Sequence, residues 1–158
     1  MLLHFLRHAS AGDPSTWRGP DELRPLDDKG RAQCKRLGKH LASTGADLGL
    51  FITSPKLRAL QTAEPVAAAL GATVVVDDRL ADDLDVHDLE VILRDHGDPE
   101  RAVLVGHDPS FTELVAVLAG VRHLPMRKGA LVRIEIDRPL TPEGGTLRWL
   151  APPDLFKG

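Results

Sequence analysis

Short apolar runs alternate with helix-like stretches along most of the chain, and this alternation limits the folds open to it. Four runs predict buried strands, at residues 2–6, 48–53, 73–76 and 102–105. Strands that are apolar without alternation are typical of a parallel sheet that is covered on both faces. We therefore expect an α/β fold, a single three-layer domain with a mostly parallel central sheet and helices on both faces.

Capping residues and prolines mark the helices between these strands. Asp27 or Asp28 is suited to cap a helix that runs to about residue 44. Ser54 and Pro55 have the pattern of an N-cap followed by proline at the first helical position, and Pro65 should kink or restart that helix. Further helices are predicted at 89–94 and 110–119, and two last strands, which would add an antiparallel edge, at 127–137 and 146–151.

Size, charge and cysteine content exclude several classes of protein. The 158 residues suit one domain, and the formal charge of −3 argues against nucleic acid or an anionic membrane as partner. Cys34 is the single cysteine, which excludes an internal disulfide framework and a cysteine-rich zinc site. No apolar run approaches a membrane span, and the first is too short for a secretory signal. We expect a soluble protein of a reducing compartment, most simply the cytoplasm.

Basic and imidazole side chains follow three of the predicted strands. Arg7 and His8 end the first strand, Arg58 lies one turn into the helix after the second, and His107 follows the fourth. Ligands of open parallel sheets bind beyond the carboxyl ends of the strands, so these side chains should converge at one edge. A cationic site on an acidic chain suits an anion, and a tetrahedral phosphate in particular.

Phosphoryl transfer needs the residue types found at this edge. Guanidinium groups hold phosphate oxygens with paired, charge-assisted hydrogen bonds, and helix N-termini add oriented N–H groups. Histidine is a nucleophile at neutral pH because one ring nitrogen is then unprotonated. Such a site would neutralise phosphate charge without a metal or another cofactor, and a carboxylic acid near its rim would protonate the leaving group.

Four stretches of the chain together resemble one known family. They are residues 6–9 (LRHA), residues 24–30 (RPL, then Gly30), residues 54–63 (SPKLRALQTA) and residues 105–109 (VGHDP). In this order they resemble the histidine phosphatase superfamily, which has the phosphoglycerate mutase-like fold. The small SixA-type branch, the phosphohistidine phosphatases, is the most similar, and Ala9 in place of the more usual glycine favours that branch.

The resemblance implies a role for each matching residue. His8 would be the nucleophile that becomes phosphorylated, and Arg7, Arg58 and His107 would form the phosphate pocket, with Ser54 as a further contact. The general acid is Asp82, Asp83 or none, and Asp83 is slightly favoured. The implied activity is removal of phosphate from phosphohistidine in a partner protein, with no cofactor and no metal.

Two alternatives stay open from the sequence. One is a phosphomonoesterase or mutase acting on small phosphorylated metabolites. The other is a non-catalytic module that keeps the phosphate pocket, which the uncertain acid motivates. The carboxylates of residues 77–88 fit a solvated acidic loop better than a metal cluster, because no calcium-loop spacing is present.

Overall fold

The computed structural model describes residues 1–157, which build one six-stranded sheet. The strand order is β3-β2-β4-β1-β5-β6. The four strands on one side, β1 to β4, pair in parallel, whereas β5 pairs antiparallel with both β1 and β6. The mostly parallel sheet and the antiparallel C-terminal pair are confirmed. The strand bounds are Leu2–Arg7 (β1), Leu50–Thr53 (β2), Val74–Val76 (β3), Arg101–Gly106 (β4), Leu131–Ile136 (β5) and Gly145–Ala151 (β6).

Four α-helices cover the two faces of the sheet. Their bounds are Asp28–Ser43 (α1), Leu57–Leu70 (α2), Val86–Asp95 (α3) and Ser110–Ala119 (α4), with short 3-10 turns at Pro14–Thr16, Asp21–Leu23, Asp78–Ala81 and Pro153–Phe156. None of the helices within residues 1–157 is both long enough and apolar enough to cross a membrane.

Each face of the sheet has its own hydrophobic core. Leu3 and Phe5 of β1 point to one face and pack with the buried residues of α3 and α4. Leu6 of β1 points to the other face, where it packs with residues of α1 and α2. Because successive strand residues point to opposite faces, one strand feeds both cores. The three-layer α/β architecture is confirmed.

Two expectations about where helices begin are wrong. α2 begins at Leu57, and the N-cap position is Lys56, because the Ser54 hydroxyl is engaged elsewhere. The helix expected at 110–119 is confirmed as α4, which has Pro109 at its N-cap position, and Ser110 Oγ accepts a hydrogen bond from the backbone N–H of Leu84 (3.1 Å). The helix expected at 89–94 already begins at Val86, after an Asp85–Asp88 capping box.

Pro65 does not restart α2, which continues to Leu70. α1 packs very closely on this segment at Gly38, where a Cβ would lie 3.0 Å from Ala69 Cβ and 3.5 Å from the Pro65 carbonyl oxygen. Tertiary packing against α1 therefore overrides the local helix-breaking tendency of proline. The strand expected from residue 127 begins only at Leu131, because Gly129 has a φ of +81°.

The N-terminus of α1 is held against the chain that leaves β1. Asp27 caps the helix by accepting from the N–H of Gly30 (2.7 Å), and its other oxygen accepts from Ser10 Oγ (2.8 Å) and the Gly12 N–H (3.1 Å). A Cβ on Gly30 would lie 2.0 Å from the Ser10 carbonyl oxygen. This close approach requires glycine and fixes the loop directly after His8.

Replacement of Gly30 by alanine tests that contact. Gly30→Ala should lower the free energy of unfolding by about 1–3 kcal/mol, because the methyl group must push the loop backbone away. Urea denaturation measures the change. Lys39→Ala, at an exposed position of the same helix, is the control and should stay within about 0.5 kcal/mol of the wild type. Equal stabilities for the two variants would contradict the close packing.

Candidate active site

The ends of three parallel strands bring the predicted residues together. The backbone N–H of His8 donates to the Gly106 carbonyl (2.9 Å), and that of Ser54 donates to the Val105 carbonyl (2.9 Å). The imidazole rings of His8 and His107 consequently lie with their centroids 5.3 Å apart. The convergence predicted from the sequence is therefore present in the structure.

His8 is held as a neutral imidazole with one free nitrogen. Its side chain is almost fully buried, and its Nδ1–H donates to the carbonyl oxygen of Ala9 (2.8 Å). Because that carbonyl can only accept, the proton is on Nδ1 and the lone pair is on Nε2. Burial, together with the charges of Arg58 and Arg7, lowers the pKa of His8 to about 3. Nε2 is thus available as a nucleophile at neutral pH.

His107 has the complementary arrangement. Its Nε2 lies 2.8 Å from Ser54 Oγ, which accepts from the N–H of Lys56 (3.3 Å) and within residues 1–157 has no other acceptor for its own hydrogen. This network places the ring proton on Nδ1, which is buried and has no partner among residues 1–157. Burial and the neighbouring His8 and Arg58 lower the pKa of His107 to about 3. The ring therefore offers a free N–H donor.

Arg58 is buried against an acidic turn. Its Nη1 donates to the carbonyl oxygen of Asp21 (2.8 Å) and its Nη2 to the Asp21 carboxylate (2.9 Å). The same carboxylate accepts from Nε of Arg24 (3.2 Å), another buried arginine. Partial burial raises the pKa of Asp21, but the hydrogen bonds from Arg24 and Arg58 outweigh it and leave that pKa below its ordinary value. Asp21 thus holds two guanidinium groups at the pocket.

Arg7 is fixed from the opposite side. Its Nη1 donates to the carbonyl oxygen of Met126 (2.7 Å) and pairs with the Asp108 carboxylate (3.2 Å). The Nε atoms of Arg7 and Arg58 are buried and have no hydrogen-bond partner in the described part of the chain. Buried donors without partners are costly in a folded protein, and such atoms at a strand-end site are suited to bind an anion.

Hydrogen bonds with Thr62 and Gly129 hold the end of β1 to its neighbours. The Thr62 hydroxyl accepts from the N–H of Ala9 (3.0 Å) and donates to the Arg58 carbonyl (2.7 Å), which ties β1 to α2. The N–H of Gly129 is shared by the carbonyls of Arg7 (3.1 Å) and His8 (3.0 Å). Arg7 and His8 at the end of β1 are therefore fixed to their neighbours by backbone as well as side-chain hydrogen bonds.

Asp83 is not part of this cluster. It is exposed, on the loop before α3, and within residues 1–157 its carboxylate makes no hydrogen bond or ion pair. The next residue, Leu84, donates its N–H to Ser110 Oγ, which lies at the start of α4. The acidic loop is therefore anchored near the helix that follows His107, while the Asp83 side chain has no defined contact.

Sequence reasoning assigned no role to Asp21, Arg24, Thr62 or Lys128. Arg24 and Thr62 lie inside the stretches that carry the family resemblance, so a signal for them was present. Asp21 and Lys128 lie in irregular segments where no periodicity or cap marks them, and only the folded chain brings their charges to the pocket.

Comparisons with known proteins agree with this geometry. The family model of the histidine phosphatase superfamily (branch 1) matches residues 3–90, which is more than half of the chain. An uncharacterized protein of Picosynechococcus sp. is 35% identical over 138 residues, which cover 84% of this chain and 83% of that protein. The residues that the family model matches include the ends of β1 and β2. The end of β4 lies beyond them.

Two further relatives have named activities. The structure of the protein histidine phosphatase SixA complexed with tungstate has a TM-score of 0.83 and 25% identity, and the match covers 99% of this chain and 100% of that one. An 8-oxo-(d)GTP phosphatase of Mycolicibacterium smegmatis is 40% identical over 65 residues, which are 41% of this chain and only 20% of that protein. The fold, the strand-end site and these matches together show that the chain belongs to the histidine phosphatase superfamily and is a phosphatase.

Proposed function

We propose that this phosphatase removes phosphate from phosphohistidine in a partner protein, through a phosphohistidine intermediate on His8 and without a metal. The observation that carries the proposal is the neutral imidazole of His8, whose Nε2 lies among donors that have no partner within residues 1–157. We further propose that residues 1–158 form one such domain and that it acts in the cytoplasm.

The mechanism has two displacements at phosphorus. In the first, Nε2 of His8 forms a bond to phosphorus while the bond to the leaving nitrogen breaks, and that nitrogen takes up a proton from water. In the second, water attacks phosphorus, the bond to Nε2 breaks, and inorganic phosphate leaves with the neutral imidazole restored. Arg7 and Arg58, through Nε, and His107, through Nδ1–H, would hold the oxygens of the transferred group in both steps.

A phosphohistidine substrate fits the weak provision for a general acid. The leaving nitrogen of phosphohistidine is a much better leaving group than an alkoxide, so it needs little assistance from a protein acid. The exposed, uncontacted carboxylate of Asp83 is in keeping with that. Similarity to the SixA structure over the whole of both chains supports the same substrate class.

Small phosphorylated metabolites are the second candidate substrate class. It is supported by the partial match to an 8-oxo-(d)GTP phosphatase. An ester substrate would place a stronger demand on the acid, so the two classes differ in how much they should depend on Asp83.

Substitution of the nucleophile tests the proposal. His8→Asn should lower phosphate release from a phosphohistidyl protein by at least about 10³-fold, because the phosphorylated intermediate cannot form. Release is measured with a chelator present, and an acid-labile phosphoryl group should be trapped on the wild type only. His40→Asn, at an exposed position of α1, is the matched control and should keep wild-type activity. Full activity of His8→Asn would exclude His8 as the nucleophile.

The neutral state of the site histidines is measurable through folding. The pKa of His107 falls from 6.5 to about 3 on folding. Between these two pH values the unfolded chain binds a proton at this histidine that the folded chain does not, so acid favours unfolding. The folded state therefore has its full stability, as far as this residue is concerned, only above pH 6.5. The free energy of unfolding should therefore decrease as pH falls from 6.5, by up to about 1.4 kcal/mol per pH unit for this one residue.

His107→Gln should remove the contribution of this histidine to the slope of the free energy of unfolding against pH. Urea denaturation at several pH values between 4.5 and 7.5 measures it, with His40→Gln as an exposed control that keeps the wild-type slope. The comparison concerns the slope alone, so it does not depend on any overall loss of stability in the variant. A slope that is the same in all three proteins would show that His107 is charged in the folded state.

The acid is tested with two leaving groups. Asp83→Asn should leave hydrolysis of phosphohistidine within about twofold of wild type but lower hydrolysis of an alkyl phosphate ester by about 10²-fold, since general acids contribute on that order where the leaving group is poor. Asp78→Asn, at an exposed position of the same acidic segment, is the control, and Asp82→Asn tests the other candidate acid. Equal effects on both substrates, or none on either, would remove Asp83 from the mechanism.

A further inference from the structure

A basic cleft of about 280 Å³ opens beside the phosphate pocket and shares Arg7 with it. Four cationic side chains line it, and Asp154 is the only carboxylate in its wall. This cleft lies between the N-terminal part of α1, the segment before β5 and the C-terminal 3-10 turn. Its lining residues are Arg7, Ser10, Lys29, Gln33, Arg127, Lys128, Pro153 and Asp154.

Two of the four cations in the cleft have a carboxylate partner and two have none within residues 1–157, since Arg7 already pairs with Asp108. Arg127 pairs with Asp154 (3.0 Å), which also pairs with Lys157 (2.9 Å). Within residues 1–157, Lys29 and Lys128 make no hydrogen bond or ion pair through their side chains. Burial, with the charges of Arg7 and Arg24, holds the pKa of Lys128 below its ordinary value. An anion in the cleft would relieve this repulsion.

The floor of the cleft contains a buried polar side chain with a free donor group. Gln33 is 7% exposed, and its Oε1 accepts from the N–H of Ser10 (2.9 Å). That bond places the amide NH₂ on the other branch of the side chain, where it has no partner in the described part of the chain. An amide donor on a mostly buried side chain, beside two unpaired ammonium groups, is a suitable arrangement for binding carboxylate or phosphate oxygens.

We propose that this cleft is a second anion-binding subsite, which holds a carboxylate or phosphate of the substrate other than the group transferred to His8. The inference rests on the proposed function, because it concerns the part of the substrate that does not react. The favoured occupant is an Asp or Glu side chain of the phosphoprotein near its phosphohistidine. A second phosphate of a small substrate has the same chemistry and is distinguished by the experiment.

The test compares matched substrates and matched variants. Two peptides carry one phosphohistidine flanked either by Glu or by Gln, and a nucleoside diphosphate is compared with its monophosphate. The enzymes are the wild type, the double variant K29Q/K128Q, and K35Q/K39Q. The last removes the same charge from exposed positions of α1 that do not line the cleft. kcat/KM is measured at low salt and at high salt.

The wild type should hydrolyse the Glu peptide about fivefold to tenfold faster than the Gln peptide, in keeping with a few partly exposed charge pairs. This preference should fall below about twofold in K29Q/K128Q, persist in K35Q/K39Q, and shrink at high salt. A preference for the diphosphate alone, lost in the same variant, would support the subsite and assign it to a small substrate. No preference in either pair would overturn the subsite.

Binding to His8→Asn separates this proposal from the proposed function. The affinities of that variant for the unphosphorylated Glu and Gln peptides give the same comparison without turnover. A Glu preference in binding, together with no hydrolysis of either phosphopeptide by the wild type, would overturn the proposed function and leave the subsite standing. Hydrolysis of both phosphopeptides at equal rates, with equal binding of the two peptides, would overturn the subsite and leave the proposed function standing.

Discussion

The parallel pairing of β1 with β4 is the constraint on which the site depends. The register sets Arg7 opposite Gly106, and the hydrogen bond from the His8 N–H to the Gly106 carbonyl extends the pairing one residue beyond the end of β1. The residue that follows each of these two strands is a histidine, so His8 and His107 lie side by side. Gly106 is required here, because a Cβ would lie 2.6 Å from the ring of Phe111. Side-chain geometry at the site thus follows from backbone pairing in the core.

Burial and charge act in the same direction on the imidazoles. The pocket excludes water from His8 and His107, and the nearby guanidinium groups add a positive potential, so both rings have a pKa of about 3. A neutral ring has one lone pair and one N–H, and the surrounding hydrogen bonds decide which nitrogen has which. Ala9 directs the lone pair of His8 to Nε2, whereas Ser54 directs the proton of His107 to Nδ1. The same arginines that suit phosphate therefore also keep the nucleophile unprotonated.

Features marked by a pattern along the chain, such as the apolar strands, were predicted from the sequence. Features that depend on a single contact between distant residues were not. Apolar runs identified the parallel strands, and the rule for strand ends brought Arg7, His8 and His107 to one edge. The cap assigned to Ser54 was wrong, because its hydroxyl is taken by His107, which is 53 residues away along the chain. Asp21 was not predicted, since its role arises from a 3-10 turn that meets α2 only after folding. The role of Asp83 stays a prediction, because its side chain contacts none of the pocket residues.

The pocket also explains why the fold tolerates polar atoms that it does not satisfy. Each buried donor left without a partner costs on the order of 1–3 kcal/mol. Three such atoms, Nε of Arg7, Nε of Arg58 and Nδ1 of His107, surround the same strand ends in the described chain. A core selected for stability alone would have paired or removed them. These atoms are concentrated at one point, on two arginines that Asp21 and Asp108 hold and on a histidine that Ser54 holds. Such an arrangement is expected where a tetrahedral anion supplies the missing acceptors.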